Sequence, residues 1–362
     1  MARQRKFIET NVYEEAKKRI HHIYDVYDNV VSSFSGGKDS GVLINLHWEV
    51  AQERGLDKVN VIFRDEELVP QAVLDNVFYY RQQPWTNFTW YAIPLRSTKY
   101  ILGESKSIIF WTPHKDRQWL RPKPEWAETL DNTEQIYTQY LVDNVIASNY
   151  SGSVAIMTGV RASESLVRYR SVVNALNENY ISASPNNTRV KLCKPIYDWE
   201  VDDIFKYYYD TGHRYTEWYE AQLWTGDTFR VATPLNTENS KKLDRWAKED
   251  PEFYDRLSTV FPEVRAQERY INDLDNTHIV KKYGKDLDGV RDWINNNIPK
   301  DTAAYTKAIK ELDRIVRRCR LQPAIYLPNG NAEYVLKQFM KGNYKRQIMP
   351  VKYKDRNKKT RK

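Results

Sequence analysis

A six-residue run, Ser35-Gly36-Gly37-Lys38-Asp39-Ser40, constrains this chain more than any other feature. It follows the apolar, β-type run Val30-Val31-Ser32-Ser33-Phe34 and leads into a helix-like stretch over residues 41–53. A strand, a glycine-rich turn and a helix N-terminus together make a phosphate site. Adjacent glycines let backbone N–H groups approach an anion closely. The helix end adds unpaired donors and partial positive charge. Lys38 adds a full charge, and Ser35 and Ser40 offer hydroxyls. Asp39 can hold the Mg2+ that accompanies a triphosphate. The run is not a Walker loop, because Gly-x-x-x-x-Gly-Lys-Ser/Thr is absent. A turn that binds nothing is the plainer reading, and the flanking strand and helix weigh against it.

The rest of the chain supplies a domain for this site. Strand patterns at residues 30–34, 58–63, 88–95, 153–158 and 190–195 alternate with helical patterns at 9–27, 41–53, 133–148 and 200–209. That alternation predicts an α/β domain with a mostly parallel twisted sheet and flanking helices. Ligands of such sheets sit beyond the C-terminal strand ends, where the 35–40 loop leaves the first strand. After about residue 215 the strand signals thin. Residues 236–249, 252–260, 263–273, 286–297 and 302–317 read as helices. The expected organisation is an α/β domain over 1–215, a helical region over 216–340 and a basic tail over 341–362. Residues 103–128 form a long polar and aromatic segment with Trp111, Trp119 and Trp126, the kind of loop that often carries function.

Charge is unevenly placed. The net charge is +8, yet residues 341–362 hold ten Lys and Arg against one acid. That tail suits nucleic acid, or else is a disordered, solubilising end. No apolar run approaches the length of a membrane span, and the N-terminus lacks a secretory apolar core. Two cysteines, Cys193 and Cys319, make neither a disulfide framework nor a four-cysteine metal site, so a reducing, cytoplasmic setting is expected. Cys193 reads as a small buried hydrophobe. Cys319, in Arg317-Arg318-Cys319-Arg320, has neighbours that favour its thiolate.

Two further segments end strands at the same sheet edge. Phe63-Arg64-Asp65-Glu66-Glu67 places acids there that can bind metal, orient a ribose or contact substrate, or simply face solvent. Gly159-Val160-Arg161-Ala162-Ser163-Glu164-Ser165 offers a tight exit at Gly159 and a forked phosphate ligand at Arg161, with Arg168 and Arg170 close behind. Surface pairing of Arg161 with Glu164 is the alternative.

The hexapeptide resembles the PP-loop of the ATP pyrophosphatase superfamily. Gly159-Val160-Arg161-x-x-Glu164-Ser165 with Arg168 resembles the Gly-Ile-Arg-x-x-Glu-Ser…Arg pattern of phosphoadenosine phosphosulfate (PAPS) reductases and the sulfate adenylyltransferase small subunit. The run Lys194-Pro195-Ile196-Tyr197-Asp198-Trp199, followed by Asp203-Ile204-Phe205, is similar to their Pro-Ile-x-x-Trp-x-x-x-Asp-Ile-Trp segment. The chain also looks like the phage and genomic-island proteins of the immunoglobulin-binding regulator A type, a resemblance that implies a ParB-like protein partner. What the superfamily implies is an adenine nucleotide alpha hydrolase-like fold and cleavage of ATP between its α- and β-phosphates, with Mg2+. The acceptor would be adenylylated and pyrophosphate released. Lys38, Asp39, Arg161 and Arg168 are then the expected catalytic residues. Ser35, Gly36, Gly37, Lys38, Ser40, Phe63, Asp65, Gly159 and Arg161 would hold the nucleotide, adenine resting mainly on backbone near 63–65, and Asp39 would be the metal ligand. Two rivals remain: a PAPS-using reductase or sulfotransferase-like enzyme, and a nucleotide-binding regulatory or DNA-associated module. The reductases' Glu-Cys-Gly-x-His motif is missing, which weakens the first rival.

Overall fold

The computed structural model describes residues 9–114, 117–130, 134–173, 178–220, 234–236, 239–270 and 277–353. The chain divides into an N-terminal unit, Met1–Thr98 with Ser107–Pro262, and a C-terminal unit, Lys99–Lys106 with Glu263–Lys362.

The N-terminal unit opens with α1 (Val12–Val26), capped by Asn11, whose side chain accepts from the Glu14 amide. There follow β1 (Asn29–Phe34), α2 (Lys38–Glu53), β2 (Val59–Arg64), α3 (Gln71–Arg81) and β3 (Thr86–Tyr91). A second strand pair, β4 (Leu95–Ile101) and β5 (Glu104–Phe110), has its tip in the C-terminal unit. Then come α4 (Gln139–Ser148), β6 (Val154–Thr158), α5 (Leu166–Val173), β7 (Ile181–Ser184), β8 (Asn187–Cys193) and α6 (Val201–Thr211). Helices α7 (Leu243–Glu249) and α8 (Pro251–Val260) close the unit.

The sheet order is β3-β2-β1-β6-β8-β7, parallel throughout except for β7, which runs antiparallel at the edge. The chain steps outward from β1 to β2 and β3, then returns to lay β6 on the other side of β1. Order therefore reverses between β1 and β6. A crevice opens at such a switch point, beyond the strand C-termini. Both glycine-bearing loops, 35–37 after β1 and 159–161 after β6, leave the sheet there.

Ala16, Ile20 and Ile23 of α1, Leu43 and Leu46 of α2, and Ile204 of α6 cover one face of the sheet with Val30, Ala155, Met157 and Cys193. A polar chain crosses this core. The Ser32 hydroxyl lies 2.8 Å from His47 Nδ1, and the Tyr24 hydroxyl 2.6 Å from His47 Nε2. Both ring nitrogens have partners, and burial pushes the imidazole down to about 3. It is neutral, and it ties α1 and α2 to β1, the strand that presents the loop.

Two sequence expectations change here. The strand expected over 88–95 is two strands, separated at Ala92-Ile93-Pro94 because a proline cannot extend a ladder. The long segment 103–128 begins as β5, and only its described residues from Trp111 onward are loop.

The C-terminal unit carries α9 (Glu263–Tyr270), α10 (Thr277–Tyr283), α11 (Leu287–Asn297), α12 (Ala303–Leu321) and α13 (Ala332–Met340). Leu287, Val290 and Ile294 pack with Ala308, Leu312 and Ile315, and with Val335, Leu336 and Phe339. Ile348 joins this core, and Arg314 donates to its carbonyl at 2.5 Å. Part of the basic tail is therefore folded onto α12 rather than a free end; residues 354–362 lie outside the described ones. No helix of the described residues is long and apolar enough to cross a membrane.

Candidate active site

Gly36 and Gly37 shape the loop in different ways. Gly36 has φ +76°, and a Cβ there would lie 2.6 Å from Val73 Cγ1 on α3. Its carbonyl accepts from Asn76 Nδ2 at 3.0 Å, which fixes the turn from below. Gly37 is the N-cap of α2 and brings no side chain to cap it. The first N–H groups of α2 thus need an oxygen from elsewhere. Ser40 and Ser35 brace the loop internally: the Ser35 amide donates to Ser40 Oγ at 3.1 Å, and the two hydroxyls lie 2.9 Å apart.

Distant tyrosines complete the loop. The Lys38 amide donates to the Tyr219 hydroxyl at 3.1 Å, a cap supplied from 181 residues away. The Tyr208 hydroxyl of α6 donates to the Lys38 carbonyl at 2.7 Å. Tyr219 is itself buried beside Lys38, whose Nζ lies 5.2 Å from the ring centroid.

The charged residues form a chain. Lys38 Nζ lies 2.8 Å from Asp39 Oδ2, and Arg161 Nε lies 2.5 Å from Asp39 Oδ1. Lys38 and Arg161 are both buried. One carboxylate between two cations leaves a local excess of one positive charge, which is what a phosphate-rich ligand needs to find. Arg161 reaches Asp39 because Gly159 lets the β6 loop touch α2. A Cβ on Gly159 would stand 2.8 Å from the Ser40 nitrogen and 2.9 Å from the Asp39 carbonyl carbon.

The remaining expected residues are placed differently. The Glu164 side chain accepts from the Arg161 amide at 3.4 Å and pairs with Arg168, which is 44% exposed. Arg168 is thus held by Glu164 one turn away, and the Arg161 guanidinium turns to Asp39. Phe63 is buried in the sheet. Asp65 is enclosed: it accepts from Trp90 Nε1 at 2.8 Å, Arg121 Nη2 at 2.5 Å and the Glu67 amide at 2.9 Å. Burial pushes its carboxyl up against the pull of Arg121. The Asp65 side chain is thus engaged by the scaffold itself.

Glu67, which the sequence did not single out, does the same on a larger scale. It is fully buried, with φ +58°. It takes Arg117 on both oxygens at 2.6 Å, and the Trp111 and Leu120 amides at 2.8 and 2.9 Å. Asp65 and Glu67 strap Trp111, Arg117, Leu120 and Arg121 to the end of β2. Trp111 is buried in this strap, while Trp126 is exposed under Arg81, 3.8 Å from its ring centroid.

Neither thiol is activated. Cys193 is buried, with its thiol pushed up to about 12. The expectation for Cys319 is overturned: burial raises its thiol, and the nearby Arg318 does not compensate. Among the described residues no group of three His, Cys, Asp or Glu side chains could hold a metal ion.

The sequence matches the family model of the phosphoadenosine phosphosulfate reductase domain over residues 29–257. It is 26% identical over 262 residues to the uncharacterized protein YbdN of Escherichia coli K12, covering 66% of this chain and 64% of YbdN. The chain thus spans just under two thirds of that relative. Among solved structures, Candida glabrata FMN adenylyltransferase with FAD and pyrophosphate matches at TM-score 0.38 and 13% identity, over 57% of this chain and 58% of that one. PAPS reductase from Candida auris matches at TM-score 0.33 and 10% identity, over 64% and 97%. The U34-tRNA thiolase NcsA of Methanococcus maripaludis matches at TM-score 0.32 and 16% identity, over 74% and 82%.

Proposed function

Because the chain belongs to the phosphoadenosine phosphosulfate reductase domain family, we propose that it is a PP-loop enzyme that adenylylates an acceptor at the expense of ATP. The acceptor oxygen attacks the α-phosphorus, the α–β bridging P–O bond breaks, and pyrophosphate leaves with that electron pair. The observation that carries this reading is the Lys38–Asp39–Arg161 chain at the switch point of the sheet. It joins the glycine-rich 35–40 loop to an arginine 122 residues away.

In this reading the Gly36, Gly37 and Lys38 amides and the Lys38 ammonium bind the β- and γ-phosphates. Arg161 stabilises the charge that grows in the transition state. Arg168 joins it only by leaving Glu164. An anionic acceptor needs no general base, so positioning and electrostatics do most of the work. A magnesium ion would be held by the Asp39 carboxylate, which would have to exchange its contacts with Lys38 and Arg161 for the ion. When bound, the ion neutralises phosphate charge. The PAPS-reducing alternative needs a nucleophilic thiol, and the raised thiols of buried Cys193 and half-buried Cys319 weigh against both as that group.

The test is pyrophosphate release from Mg·ATP by the purified chain, alone, with sulfate and with DNA. Release that requires an acceptor and is lost in Lys38→Ala/Asp39→Ala supports adenylylation. ATP binding without release under any condition would reduce the site to a regulatory one. A second prediction concerns Tyr219. Its hydroxyl caps the donor that a phosphate would use, so Tyr219→Phe is expected to bind pyrophosphate about threefold to tenfold more tightly, the worth of one neutral hydrogen bond. Calorimetric titration measures this; weaker binding would make the hydroxyl part of the ligand site instead of its placeholder.

A further inference from the structure

The C-terminal unit holds 26 Lys and Arg against 13 Asp and Glu, a formal charge of +13. The N-terminal unit holds 30 against 35 and carries −5. The basicity of the chain thus belongs to one unit and is wider than the last 22 residues.

Within that unit the charge has a direction. On α12 the apolar positions Ala308, Leu312 and Ile315 are buried in the core. The opposite face carries Lys307, Lys310, Arg317 and Arg320, all exposed. These four make no ion pair among the described residues. The acid on their face, Asp313, is paired with Arg291 at 2.6 Å. Glu311 is engaged by Arg314 through both oxygens at 2.7 and 2.6 Å. The stripe runs about 20 Å along the helix axis, close to six nucleotide steps of one strand at ~3.4 Å each. The folded tail extends the same field: Ile348 is held to Glu311 and Arg314 of α12, with Lys345 and Arg346 exposed just before it.

We propose that this face of α12, with the turn at 345–346, binds the phosphodiester backbone of nucleic acid. Unpaired cations in a row along a rigid helix match a row of phosphates, and binding gains from counterion release. No aromatic side chain stands among the four cations, so the surface grips backbone without reading bases. A membrane surface fits less well. An interfacial helix needs a free apolar face, and that of α12 is buried.

The test uses the full chain, with a short labelled DNA duplex, a short single-stranded RNA and phosphatidylserine vesicles, between about 50 and 200 mM salt. Binding to a nucleic acid is expected to fall steeply with salt; the DNA and RNA arms show which form is held. Lys307→Ala/Lys310→Ala/Arg317→Ala/Arg320→Ala is expected to weaken it about a hundredfold and to flatten the log–log salt slope by about four, one per lost contact. Truncation after Tyr353 leaves the stripe intact and should cost less than the quadruple variant. An unchanged melting temperature shows that the quadruple variant is folded. The inference is overturned if that folded variant binds like the wild type. It is also overturned if truncation alone abolishes binding, or if the wild type binds vesicles and neither nucleic acid.

Discussion

Glu67→Ala is expected to destabilise the N-terminal unit by roughly 3–5 kcal/mol, the cost of breaking a buried ion pair from one side. The alanine would strand the Arg117 guanidinium, only 16% exposed, and would orphan the Trp111 and Leu120 amides. Each buried, unsatisfied polar group adds to the penalty. The backbone offers an internal control. Glu67 sits at φ +58°, a conformation that costs a non-glycine residue about 1–2 kcal/mol. Glu67→Gly loses the same contacts but sheds that strain, so it should be milder than Glu67→Ala by about 1 kcal/mol. Urea unfolding followed by tryptophan fluorescence reads both, provided the slope stays constant. A loss below about 1 kcal/mol for the alanine variant would mean that the strap is held by its aromatic packing and that the carboxylate is incidental.

This strap shows where sequence reading fails. An acid just after a strand looks the same whether it faces solvent, a ligand or a buried arginine. The partners of Asp65 and Glu67 lie 56 and 50 residues away, so nothing local distinguishes the cases. Tyr219 fails for a related reason: it is one of 26 tyrosines, and its importance lies only in reaching the Lys38 amide. Cys319 misleads in the opposite sense. Its flanking arginines look activating in one dimension, but on a helix Arg317 and Arg320 are carried into solvent while the cysteine is half-buried under Gly330. By contrast the 35–40 loop and the 159–161 exit were legible, because glycines at strand ends carry a local backbone requirement. The parallel sheet was legible from alternating periodicities. Its antiparallel edge strand β7, only four residues long, was not.

Gly159→Ala is expected to lower nucleotide affinity by about tenfold to a hundredfold, the worth of one hydrogen bond to a charged group. The added methyl would meet the Ser40 nitrogen, the Asp39 carbonyl carbon and the Ser40 Cα at 2.8, 2.9 and 2.9 Å. All three are backbone atoms in the first turn of α2, so no side chain can swing aside. Either β6's exit or the N-terminus of α2 must move. Moving either separates Arg161 from Asp39 and shifts the amides proposed to bind the phosphates. Overpacking of this kind also costs about 1–3 kcal/mol of stability. Gly55→Ala separates the two effects. Gly55 has φ +71° but open space around its Cβ position, so alanine there should cost about 1–2 kcal/mol with nucleotide binding intact. Calorimetric titration with ATP and thermal unfolding of both variants check this. Equal affinity in Gly159→Ala and the wild type would show that the contact between the β6 loop and α2 is not what sets the phosphate site.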